Sequence, residues 1–172
     1  MDAPNEALAK LVRLGALSAT NGRKPDHVDI HRVRGAVGLR RFVAGLLGRR
    51  PGWLRLLYRV RSVLARLLGL QQAGEPPTDV GPEDVPMTPG DRLSVFTVVA
   101  ADADSHWVAE GADKHLRAVL AVLVTPEQDG RNRFDVVTVV EYLHWTGPVY
   151  FNLIRPFHHL VVWRLARTAA RG

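Results

Sequence analysis

Two adjacent histidines near the C-terminus, His158 and His159, are the side chains best suited to proton chemistry, because an imidazole changes charge near neutral pH without much tuning. They lie in a run from Val149 to Leu165 whose apolar residues recur with helical spacing. Around that helix Arg164, Arg167 and Arg171 mark a wet side. Val161, Val162 and Leu165 lie opposite, with His158 among them. His158 is therefore the candidate acid or base facing inward, and His159, nearer Trp163 and Ala166, is a boundary residue. The competing reading of His158 is a core histidine satisfied by a backbone carbonyl. Glu141 is the carboxylate that could partner it, set in a strand row with Val137, Val139, Leu143 and Trp145. Such an acid either faces solvent at the rim of a sheet, the simpler reading, or is held in a pocket.

Further candidates would bind rather than react. Arg155 and Tyr150 sit where the last strand gives way to the helix and could hold the polar end of a ligand, Arg155 through its carboxylate- or phosphate-matching fork. Helix capping and ordinary packing explain the pair equally well. His115 opens a strand and belongs to its outer face or to a cavity mouth, and Trp107 and Trp163 either line a cavity or fill core. No phosphate-binding glycine loop, dinucleotide fingerprint, nucleophile elbow or zinc-protease motif occurs. Among the seven histidines, His158 and His159 are adjacent and His27 and His31 share a strand, so spacing along the chain suggests no metal site. No cofactor and no metal are expected.

The elements that must position these residues follow from periodicity and punctuation. Residues 6–17 are helical and end at Thr20-Asn-Gly22. His27–Val33 alternates polar and apolar and reads as a strand. Helices at 38–48 and 53–70 flank the turn Arg49-Arg-Pro-Gly52. The second presents Arg55, Arg59 and Arg66 opposite its apolar face. The span from Gly74 to Gly90, with five prolines and four acids, is a long connecting loop. Strands follow at about 92–101, 106–111, 115–125 and 133–145, and a helix opened by Pro148 or Pro156 ends the chain. The predicted fold is α+β: a curved antiparallel sheet wrapped around a long C-terminal helix, with two helices after the first strand. The domain spans 25–172 behind an N-terminal extension of 1–24.

Composition narrows the function classes. The 172 residues suffice for one domain with its own core. The absence of cysteine excludes disulfides, thiolate metal sites and cysteine nucleophiles. No signal peptide pattern and no apolar span of membrane length occur, so the expected location is the cytoplasm. The net charge of +6 would suit an anionic partner, yet 20 of the 23 basic residues are arginine, as a high-GC genome would produce. Ten arginines and no acid lie between Ile30 and Gly74, which gives a real local field. The ridge at Arg55, Arg59 and Arg66 could dock on anionic membrane or nucleic acid, the third and last reading because it lacks interleaved aromatics or lysines; no nucleic acid and no membrane span are expected. Several strands are apolar on both faces, which is compatible with a homodimer packed through the sheet's outer face.

Asp113-Lys-His-Leu116, Thr138-Val-Val140, Gly147-Pro-Val-Tyr150 and Ile154-Arg-Pro-Phe-His158 resemble the motifs of a bacterial domain-of-unknown-function family, number 2867. Pro51-Gly-Trp53 and Leu68-Gly-Leu70 are similar to it as well, and the resemblance spans roughly residues 27–168. That family looks like a branch of the helix-grip superfamily of lipid-transfer (START), birch-pollen-allergen-like and polyketide cyclase proteins. The resemblance implies a sheet gripping the C-terminal helix around an apolar cavity, and no particular activity. The chain departs from the pattern at Glu141, where an apolar or basic residue is more usual, and at His159, where arginine is expected. The combined expectation is a binder of a polyketide-like or lipid-like metabolite that acts as a cofactor-independent cyclase, isomerase or dehydratase. His158 and Glu141 would move protons, and Tyr150, Arg155, His159, Trp107, His115 and Trp163 would contact substrate. A non-catalytic carrier or sensor is the alternative.

Overall fold

Polar–apolar alternation along His27–Gly35 makes the first strand, β1, and it sorts its side chains to two different layers. Val28 and Ile30 join a core on one side of the sheet, and Val33 joins a core on the other. The computed structural model describes residues 3–16, 25–48, 80–112 and 116–171. The predicted helix at 53–70 with Arg55, Arg59 and Arg66 lies outside the described residues, as do His115 and the side chain of Tyr150.

The remaining elements are α1 (Ala3–Arg13), α2 (Leu39–Gly48), β2 (Arg92–Leu93), β3 (Phe96–Asp102), β4 (His106–Ala112), β5 (Leu116–Pro126), β6 (Asn132–Tyr142) and α3 (Thr146–Ala169). They build an α+β fold around one six-stranded antiparallel sheet of order β1-β6-β5-β4-β3-β2. The first strand thus pairs with the last, and α3 leaves β6 to pack against β1 and α2. Three boundaries moved from expectation. Ser94, at φ 60, turns the chain between β2 and β3, so the strand expected over 92–101 is two. Strand β6 stops at Tyr142 rather than at Trp145, and Leu143, His144 and Trp145 are exposed. Helix α3 begins at Thr146; Pro148 falls in its first turn, where a missing N–H leaves no gap in the ladder.

Strands β5 and β6 are buried on both faces, which is why both read as nearly continuous apolar runs. On one face α1 brings Ala7 and Leu11, and the turn after it Ala16, onto Val108, Val119, Ala121, Leu123, Val137 and Val139. The surface that suggested a dimer is thus taken up, over this area, by the N-terminal helix. On the other face α2 and the C-terminal half of α3 cover Val98, Trp107, Ala109, Leu120, Val122, Phe134 and Val136. Phe42 stacks on Phe134 at 4.1 Å between centroids. Small residues set the closeness of this layer. A Cβ on Gly35 would stand 2.1 Å from the carbonyl oxygen of Ala170, so only glycine lets the end of β1 meet the end of α3.

Candidate functional site between the first strand and the last helix

Position parity places His27, Asp29 and His31 on the same face of β1 as Val33, the face that α3 crosses. Their cross-strand partners on β6 are Val140, Thr138 and Val136. Apolar side chains would be expected beneath a helix, and here three polar ones stand in a row. From above, α3 adds His158 and His159, adjacent in sequence, together with the buried ring of Phe151. Four histidines and one aspartate therefore share the space between β1 and the middle of α3.

The rings and the carboxylate are in contact. His31 Nε2 lies 2.8 Å from Asp29 Oδ2, and His159 Nδ1 lies 3.0 Å from the same oxygen. Ring centroids of His27, His31 and His158 stand 5.8, 5.9 and 6.1 Å from that of His159. Phe151 packs on His27 at 4.9 Å and near His158 at 6.2 Å, closing one end with an apolar wall. Burial pushes the His158 imidazole down to about 4, against the opposing pull of Asp29, so its ring is neutral at neutral pH. Burial lowers His27 as well, with Arg155 as the second cause. Despite the short approaches, the buried atoms Asp29 Oδ2, His31 Nε2, His27 Nε2, His158 Nε2 and Thr138 Oγ1 have no hydrogen-bond partner. Each such atom costs about 1–3 kcal/mol. Their concentration in one place makes this the candidate site.

The sequence candidates divide sharply. His158 and His159 both belong to the cluster, with the first the more deeply buried. Arg155 is exposed, one turn before His159 on α3, and its charge is felt at His27 and Tyr142. Glu141 is not brought to His158. It shares the opposite face of β6 with Val137 and Val139, where Arg117 reaches it at 3.3 Å and also binds Glu110. The same guanidinium donates to the carbonyl oxygen of Ala16 at 3.2 Å, so Glu141 helps to fasten the end of the α1 segment to the sheet. Trp107 is fully buried in the layer under α2, and its indole N–H donates to the Pro86 carbonyl at 2.9 Å. It pins the proline-rich loop. Trp163 is 42% exposed, with Arg167 placed 4.7 Å over its ring. The residues that sequence reasoning missed are His27, Asp29 and His31. Their signal was present as polar, apolar, polar alternation that turned polar side chains toward a helix-covered face.

Leu143, Trp145 and Val149 are exposed at the β6–α3 junction, and Phe157 and Leu160 along α3. No described helix is long and apolar enough to cross a membrane. A family model described as "Protein of unknown function (DUF2867)" matches residues 23–165. No curated protein matches the sequence. Among solved structures the chain is similar to the crystal structure of Ara h 8.0201, with a TM-score of 0.38 at 10% sequence identity, covering 81% of this chain and 94% of that one.

Proposed function

This chain belongs to the DUF2867 family of proteins of unknown function, and we propose that it binds a small, largely apolar metabolite whose polar end is presented to the histidine–aspartate cluster for proton transfer by His158. The observation that carries this reading is the set of buried, unpartnered polar atoms on His27, Asp29, His31, His158 and Thr138, gathered under one helix. A neutral imidazole can accept a proton at one nitrogen and give one from the other. The Asp29 carboxylate favours the charged ring at the moment the proton arrives. Arg155 at the exposed edge would orient a carboxylate or similar group. The exposed Leu143, Trp145, Val149 and Phe157 offer apolar contact to the rest of the molecule. The reaction class that needs only a shaped site and one proton-moving group is isomerisation, cyclisation or dehydration.

The test is to incubate the purified protein with a lipophilic extract of its source cells and to follow protein and metabolites by native and chromatographic mass spectrometry. A metabolite converted to an isomer or dehydrated product by the wild type, and at a rate lowered roughly 10²–10⁴-fold by His158→Gln, supports the proposal. Conversion at the wild-type rate by the folded variant removes His158 from the chemistry. A ligand that binds and returns unchanged makes the chain a carrier.

A further inference from the structure

We propose that Asp29, His31 and His159 form a binding site for one divalent first-row transition-metal ion. The three ligating atoms, Asp29 Oδ2, His31 Nε2 and His159 Nδ1, lie within 4.8 Å of one another. Cis ligands of an octahedral ion with bonds of about 2.1 Å stand about 3.0 Å apart, and tetrahedral ones about 3.4 Å. The observed separations from Asp29 Oδ2, 2.8 Å and 3.0 Å, match the octahedral spacing to about 0.2 Å and fall about 0.4–0.6 Å short of the tetrahedral one.

Two features separate this arrangement from an ordinary aspartate–histidine ion pair. In an ion pair an N–H points at the oxygen, and Asp29 Oδ2 would then count two donors. It counts none, and His31 Nε2 has no acceptor, although the atoms nearly touch. That pattern fits ring nitrogens and a carboxylate oxygen that face an ion between them rather than one another. The second feature is the framing. Asp29 and His31 are two positions apart on one strand face, and His159 descends from a helix, so two rigid elements fix the three donors. Thr138 stands directly across from Asp29 on β6 with its buried hydroxyl unpartnered.

The donor set selects the ion. Two imidazoles and one carboxylate, with no thiolate, suit Zn²⁺, Fe²⁺ or Co²⁺ and suit Ca²⁺ or Mg²⁺ poorly. Three protein ligands leave coordination positions free, and the side chain of His159 is 37% exposed, so those positions open toward solvent and toward an incoming polar group. The inference uses the same cluster as the proton-transfer reading but does not depend on it, since His158 is not among the ligands.

The experiment is a titration of the full chain, stripped with a chelator, by Co²⁺ alone and by Zn²⁺ alone. The expected result is one ion per chain, with Co²⁺ d–d absorption and two paramagnetically shifted imidazole N–H resonances belonging to His31 and His159. Asp29→Asn, His31→Gln and His159→Gln each weaken binding by more than about a hundredfold, beyond the tenfold to hundredfold loss typical of outer partners. His158→Gln binds Co²⁺ as the wild type does. A wild type that shows no shifted imidazole resonance overturns the site, and needs no variant to fold. So does a folded Asp29→Asn protein that keeps wild-type affinity. His158→Gln that loses turnover while keeping Co²⁺ separates the two proposals, as does a wild type that turns over substrate without binding metal.

Discussion

At the scale of single residues, Glu141 illustrates how one unknown misplaces a side chain. Its strand parity was readable: it shares a face with Val137 and Val139. What parity cannot say is which of two apolar faces lies beneath the C-terminal helix, and β5 and β6 are buried on both. The choice was made by α1, whose segment brings the Ala16 carbonyl to Arg117 and commits that face to the N-terminal segment. Glu141 then neutralises a largely buried guanidinium beside Glu110 instead of serving a histidine. Arg117→Met is expected to lower stability by about 2–3 kcal/mol, because it strands two carboxylates; the loss falls short of a fully buried pair since Glu110 is 37% exposed. Glu141→Gln keeps an acceptor for Arg117 and should cost less than half of that, about 1 kcal/mol. Urea midpoints of the two variants decide the order. A greater loss for Glu141→Gln than for Arg117→Met would contradict the assignment of Arg117 as the hub.

At the scale of elements, β1 was identified from its alternation almost to the residue, expected at 27–33 and observed at His27–Gly35. Its chemistry is not visible in the spacing of histidines along the chain. Alternation puts His27, Asp29 and His31 in one row, and the crossing of α3 brings His158 and His159 over them from more than a hundred residues away. No one-dimensional spacing rule carries that contact. Helix α3 was likewise recognised, but Pro156 was a candidate for its start and instead lies inside it, where it removes one ladder bond to the Asn152 carbonyl. The tight end of the same helix is set by Gly35. Gly35→Ala would drive a methyl into the Ala170 backbone, and either the helix end or the β1 end must shift. The expected loss is about 1–3 kcal/mol, read as a lower denaturant midpoint. Because Gly35 and Asp29 lie on one strand face, the shift should also loosen the histidine cluster, and Co²⁺ affinity should fall with stability. Unchanged stability in Gly35→Ala would mean that the close approach is not maintained in solution.

At the scale of the whole molecule, two cores share one sheet, and the site occupies only one of them. The cluster sits on the α3 side, while α1 seals the other with Leu11 fully buried among Val108, Val119, Ala121, Leu123, Val137 and Val139. The described part of the N-terminal extension is therefore part of the fold's hydrophobic closure. Removing residues 1–16 would uncover that apolar surface and delete the carbonyl that Arg117 binds. The loss of Leu11 with Ala7 and Ala16 is worth about 3–5 kcal/mol. The exposed sheet face is then the surface on which two copies would associate. Light scattering and thermal melting of the truncated chain are expected to show a lower melting temperature and a mass above that of one chain. The full-length protein should remain a monomer under the same conditions. Because the sheet separates the truncated face from His31 and Asp29, the fraction that stays folded should still bind Co²⁺. A truncated chain that is monomeric and melts with the full-length protein would show that α1 does not close the outer face. The dimer expected from strands apolar on both sides would then again be open for the intact molecule.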